Sequence, residues 1–125
     1  APAEEWFVAG HLRLPSGDGD ASLARIKELL NQRAALQPVQ QHSCGSVFRN
    51  PGGDYAGRLI EVSGMKGAFM GAAQVSEKHA NFIINTGGAT AADIEALIEQ
   101  VVAAVERRSG VRLVPEVCIV GERDD

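Results

Sequence analysis

Three short stretches of the chain gather residues able to do chemistry. The first is Cys44-Gly45-Ser46-Val47-Phe48-Arg49-Asn50-Pro51. Gly45 lets the backbone approach a ligand closely, Ser46 presents a hydroxyl, and Arg49 and Asn50 offer donors suited to phosphate or carboxylate. The same residues also describe a turn in which Ser46 only bonds the backbone. The second stretch, Val75-Ser76-Glu77-Lys78-His79-Ala80-Asn81, packs polar side chains between apolar strand residues. It reads either as a solvated connection or as a ligand-facing strand end with His79 or Lys78 on an anionic group. The third candidate is Glu116, set between Pro115 and an apolar run from Val117 to Val120. Burial there would keep the carboxyl partly protonated and able to donate to a developing oxyanion, whereas exposure would make it an ordinary strand-edge glutamate.

Other chemistries lack their signatures. Ser46 is not in a Gly-x-Ser-x-Gly elbow, and nothing in the sequence fixes His11, His42 or His79 beside it as a base. His42, Cys44, His79 and Cys118 are too scattered for a zinc spacing, so no metal is expected. Neither a phosphate-binding Gly-x-x-x-x-Gly-Lys-Ser/Thr loop nor a dinucleotide Gly-x-Gly-x-x-Gly turn is present. A net charge of -4 argues against nucleic acid as a partner. Two cysteines are few for a disulfide-held secreted domain and suit reduced thiols in a cytosolic protein. No apolar run approaches membrane-spanning length. The N-terminus has neither a signal pattern nor an initiator Met, which suggests a processed chain or an excised fragment.

The elements that must position these residues follow from periodicity. With 125 residues, 45% of them hydrophobic and 22% charged, the chain supports one ordered domain. Alternation over residues 5–14 predicts a strand, followed by a turn cluster at 15–20. Asp20 is expected to cap an amphipathic helix over 21–36, with Leu23, Ile26, Leu29 and Leu30 on its inner face and Pro38 beyond its end. Residues 37–54 read as an ordered loop with one short strand, and 55–63 as a short helix ended by Gly64. A strand is expected over 81–85. Thr90 should cap a helix over 91–108, whose stripe runs through Ile94, Leu97, Ile98, Val101, Val102 and Val105 to Gly110. Short strands at 111–113 and 117–120 complete an α+β two-layer sandwich, a small mixed or antiparallel sheet with about three helices on one face.

Taken together and in order, the Ser43-Cys44-Gly45-Ser46-Val47-Phe48-Arg49-Asn50-Pro51 stretch, Ala56-Gly57-Arg58-Leu59-Ile60-Glu61, Val75 to Asn85, and Pro115-Glu116-Val117 with Ile119-Val120-Gly121 resemble one family. It is the C-terminal, substrate-binding part of the UDP-N-acetylenolpyruvoylglucosamine reductases, also called UDP-N-acetylmuramate dehydrogenases. The likeness extends over nearly the whole chain, and the Ser-Cys-Gly-Ser form resembles the branch without an extra tyrosine-bearing loop. The resemblance implies a bacterial, cytoplasmic, monomeric flavoprotein of peptidoglycan synthesis. In that chemistry NADPH reduces FAD, and hydride passes to the enolpyruvyl double bond of UDP-N-acetylglucosamine enolpyruvate. It implies Ser46 as proton donor and Glu116 as the catalytic glutamate. Asn50 and His79 fall at substrate diphosphate positions, Arg49 and Arg58 at further anion contacts, and Cys44 and Gly45 beside the cofactor.

Cys118 stands where the family commonly has Arg, His42 where Pro is common, and Leu36 where a polar or basic residue is frequent. The family's flavin-binding region and a further catalytic arginine precede the matched segment. Residues 1–15 are therefore expected to end that preceding region, and 16–125 to form the substrate-binding domain, inactive alone. The competing reading is a stand-alone binding module for a nucleotide-sugar or another phosphorylated ligand.

Overall fold

In the computed structural model, which describes residues 6–121, three helices are interleaved with four strands. The order is α1 (Gly19–Leu36), β1 (His42–Ser46), α2 (Ala56–Val62), β2 (Phe69–Met70), β3 (Ala73–Val75), β4 (Phe82–Asn85) and α3 (Ala91–Ser109). The strands form one antiparallel sheet in the order β1-β4-β3-β2. The expected α+β two-layer architecture is present: α3 lies on the sheet and α2 packs on α3.

α3 anchors the fold because its sequence specifies both ends and one face. Thr90 accepts the Asp93 N–H at 3.1 Å and Asp93 accepts the Thr90 N–H at 2.9 Å, satisfying two donors the helix would otherwise leave open. The same Thr90 N–H holds the Asp93 carboxyl below its ordinary range. Gly110 takes φ +70°, a left-handed cap that other residues resist. Leu97, Ile98, Val101, Ala104 and Val105 are buried, with Ile94 and Val102 packed beside them. Ala56, Leu59 and Ile60 of α2 and Ala73, Val75 and Ile83 of the sheet complete the same core.

β1 carries a defect that bears on function. Ser43 pairs with Ile84, but Ser46 pairs with Phe82, so one extra residue sits on β1. The bulge is hosted by Gly45 at φ +86°. Because strand side chains alternate between faces, one inserted residue changes the face that Ser46 serves.

Four expectations are corrected. The strand over 5–14 is not formed: its described part, residues 6–14, is exposed and pairs with no strand. Alternation declares a face but supplies no neighbour. The first helix begins earlier than expected, since Asp18 rather than Asp20 caps it, accepting the N–H groups of Asp20 and Ala21. The apolar stripe of α1 is not buried, and no residue of that helix is. Finally, 111–113 and 117–120 are not strands. Instead, Arg49 N–H donates to Val114 C=O at 3.0 Å and Glu116 N–H donates to Val47 C=O at 2.7 Å, around an isolated Phe48–Pro115 bridge. Pro115 has no N–H with which to extend that ladder.

Candidate active site

A cavity of about 410 Å³ lies between α2, the end of β1 and the loop before β4. Four residues singled out from the sequence meet on it: Ser46, Asn50, Arg58 and His79. Lys78, Tyr55, Gly57, Glu61 and Asn81 line it as well.

Ser46 ends β1 immediately after the bulge. The two residues that follow, Val47 and Phe48, are buried at 1% and 2% exposure and pin the segment, while Ser46 itself is exposed. Among the described residues nothing hydrogen-bonds its hydroxyl, so the turn reading, in which Ser46 bonds the backbone, does not hold. Asn50 has a structural duty first: its Oδ1 accepts the Ala56 N–H at 3.0 Å and starts α2. Its amide nitrogen can still donate, which suits an anionic oxygen in the cavity that Asn50 lines.

Arg58 projects from α2 and donates through Nε to Asp54 Oδ1 at 2.7 Å, with a second bond from its terminal nitrogen to Oδ2. The Arg58 guanidinium, helped by the Tyr55 N–H, holds the Asp54 carboxyl down at about 2, and Asp54 in turn raises Arg58. Arg58 is exposed and Asp54 half-buried, so solvent screens the pair and it orients more than it stabilises. A guanidinium has five donors, and those that Asp54 leaves can still serve an anion.

His79 is held from several sides. The buried Ser76 Oγ accepts the N–H groups of Lys78 at 3.1 Å and His79 at 3.3 Å. The ring meets Phe82 edge-on at 4.9 Å, and its Nδ1 accepts the Asn81 N–H at 3.2 Å. Gly57 makes room for it, since a Cβ there would stand 3.2 Å from His79 Cε1. Lys78 donates to Ala34 C=O at 2.5 Å, tying α1 to this loop. Glu61 accepts from Lys66 at 2.9 Å. Arg58 and Lys78 thus bring two cations to the cavity, with Asp54 paired to Arg58 and Lys66 paired to Glu61.

The remaining sequence candidates lie elsewhere. Arg49 is exposed and outside the cavity. Glu116 is exposed and does not line it, so burial of this carboxyl does not occur, although its N–H bond to Val47 keeps its backbone beside the Ser46 segment. Cys44 lines a separate apolar groove of about 480 Å³ with Val117, Cys118 and Ile119. Both cysteines are exposed free thiols. Gly45 lines a third hollow with Pro38 and Phe82. Among the described residues no helix is long and apolar enough to cross a membrane.

Sequence reasoning missed the holders of the site. The pattern places Ser76 in a polar connection and Asn81 at the start of the 81–85 strand without marking either as buried, yet they are 1% and 4% exposed and each is hydrogen-bonded. The one available signal was a polar residue directly abutting the apolar run Phe82-Ile83-Ile84. Tyr55, Gly57 and Glu61 share α2 or its start with Arg58, and the helical spacing of Gly57 and Glu61 could have grouped these two.

Residues 37–120 match the family described as UDP-N-acetylenolpyruvoylglucosamine reductase, C-terminal domain. The UDP-N-acetylenolpyruvoylglucosamine reductase of Alkalilimnicola ehrlichii is 69% identical over 121 residues, covering 97% of this chain and 41% of that protein. The protein of the same name from Thiobacillus denitrificans is 60% identical over 122 residues, covering 98% of this chain and 38% of that protein. This chain therefore spans about two fifths of the length of these relatives. Among solved structures, UDP-N-acetylenolpyruvylglucosamine reductase from Thermus caldophilus superposes with a TM-score of 0.69 at 36% identity, covering 83% of this chain and 36% of that one.

Proposed function

Because this chain belongs to the UDP-N-acetylenolpyruvoylglucosamine reductase family, as its C-terminal domain, we propose that it binds the UDP-sugar substrate and donates the proton of the reduction. The observation that carries this reading is an uncommitted Ser46 hydroxyl on the same cavity as Asn50, Arg58 and His79. In this reading Asn50 and His79 take the substrate's diphosphate, with Arg58 adding positive charge beside it and Arg49, outside the cavity, adding charge from further off.

Hydride addition beside a conjugated carboxylate leaves an enolate-like dianion, which needs fixed donors and one proton within hydrogen-bond reach. Ser46 gives that proton to the carbon next to the carboxylate. A serine hydroxyl is a weak acid, but the centre it protonates is strongly basic. Glu116 is the second catalytic group. Its backbone N–H is bonded to Val47 C=O, one residue from Ser46, and in this reading its carboxyl stabilises the developing charge.

The residues present fit a flavin alongside. Gly45 sits in an edge strand, has open space where a Cβ would stand, and is flanked by the exposed Cys44 and an apolar groove. A flat ring can approach there, and Cys44 and Gly45 would hold its edge. When bound, FAD supplies the hydride, drawn from NADPH. Most of its binding surface lies outside residues 1–125 in this reading, so the isolated chain neither holds FAD tightly nor turns over, and the enzyme works in the bacterial cytoplasm on peptidoglycan precursors.

Titration of the chain with UDP-N-acetylglucosamine, followed by backbone amide shifts, tests the placement. Changes at Ser46, Gly57, Arg58 and Ala80 are expected. Changes confined to Cys44 and Val117 to Val120 would move the substrate to the other groove and overturn it.

A further inference from the structure

We propose that Asn81 is a positioning residue that fixes Ser46 and His79, both lining the cavity, to one another. The inference rests on the reading of Ser46 as proton donor. Asn81 is 4% exposed, and an amide buried that deeply is costly unless fully bonded. Its Oδ1 accepts the Phe48 N–H at 3.0 Å and its Nδ2 donates to Phe48 C=O at 2.8 Å. Its own C=O accepts the Val47 N–H at 2.9 Å. One residue therefore grips the two that follow Ser46, from 33 positions along the chain. The side-chain amide acts as a piece of strand: it supplies a donor and an acceptor where the β1 bulge has thrown the regular β1–β4 ladder out of step.

The backbone of the same residue sets the imidazole. Asn81 N–H donates to His79 Nδ1, and a ring nitrogen that accepts carries no proton. Neutral His79 is thereby held as the tautomer whose Nε2 bears the hydrogen. That leaves a donor, not an acceptor, for a ligand oxygen. Ser76 fixes the histidine's own N–H, and the missing Cβ of Gly57 lets the ring sit against α2. Ser46 and His79 are then registered to each other through one side chain and one peptide unit.

The test uses the flavin-bearing reductase that contains this domain. Histidine ring ¹⁵N spectra of the unaltered protein, recorded at a pH where the imidazole is neutral, are expected to show the His79 proton on Nε2; a neutral ring with its proton on Nδ1 would overturn the tautomer assignment. Asn81→Asp keeps the acceptor for Phe48 N–H and, assayed at a pH high enough to ionise the buried carboxyl, sets a carboxylate against Phe48 C=O, which displaces the Ser46 segment. A displacement near 1 Å costs about 10²-fold in rate, so kcat should drop about that much, with KM changed less than about threefold, in protein that melts cooperatively and retains FAD. Asn81→Gln, which keeps both groups on a longer arm, should recover part of the loss. A folded Asn81→Asp enzyme with unchanged kcat overturns the positioning role. If neither Asn81 variant folds, the tautomer spectrum decides the proposal, because it needs no variant. Ser46→Ala run in parallel separates the two claims: full activity there sinks the proton-donor reading, whereas loss there with an unimpaired, folded Asn81→Asp enzyme sinks this inference alone.

Discussion

At the residue scale, the cavity works by holding cations and donors in place without consuming them. Arg58 illustrates this, since Asp54 aims the guanidinium yet leaves donors over. Arg58→Ala should raise KM for the UDP-sugar by about tenfold, the scale of one charged hydrogen bond, and change kcat little; a kinetic comparison in the flavoprotein checks it. The pair also has a pH signature. Asp54 loses its proton more readily in the fold, at about 2, than the ordinary aspartate value of 3.8. Its contribution to stability is therefore whole above about pH 4 and is lost as pH falls towards 2. The side-chain carboxyl shift of Asp54 should titrate near 2 in the native chain and return to an ordinary value in Arg58→Ala. A midpoint near 4 in the unaltered chain would show that the pair is not formed in solution.

At the element scale, two backbone features carry the geometry. Gly45 hosts the β1 bulge in a conformation that side chains resist, so Gly45→Ala should cost about 1–2 kcal/mol of stability. Chemical denaturation reads that loss, and turnover should fall alongside it because Ser46 is the next residue. Thr90→Ala should cost about 1 kcal/mol through the lost cap and leave the cavity untouched. How much of this was legible in the sequence follows the same division. α3 was readable because cap, stripe and terminal glycine all agreed within 21 consecutive residues, Thr90 to Gly110. Ser46, Asn50, Arg58 and His79 were readable as a motif set, and they do meet. The bulge was not, since a glycine in a strand pattern does not say which register it breaks. Nor was the fate of α1, because periodicity identifies an apolar face and is silent on what covers it. Pro115 should have tempered the two C-terminal strands, being unable to donate to a ladder.

At the scale of the whole molecule, apolar surface is divided unevenly. The core of α2, α3 and the sheet is closed, whereas Trp6, Phe7, Leu12, Leu23, Ile26 and Phe69 remain exposed, several of them by more than four fifths. A chain that spans about two fifths of its relatives' length can leave such a face for the rest of a reductase to cover. The proposed function places substrate and proton on this domain, and the flavin and its hydride mostly elsewhere. Added FAD should wash out of the isolated chain on gel filtration and stay with the flavin-bearing form; a yellow isolated chain that oxidises NADPH steadily would contradict that division. The most direct measurement is the steady-state rate of the flavin-bearing enzyme carrying Ser46→Ala, with substrate affinity determined on the same sample. The proton-donor role predicts a fall in kcat of about 10²–10⁴ with affinity essentially kept. Turnover within a few-fold of the unaltered enzyme would contradict it.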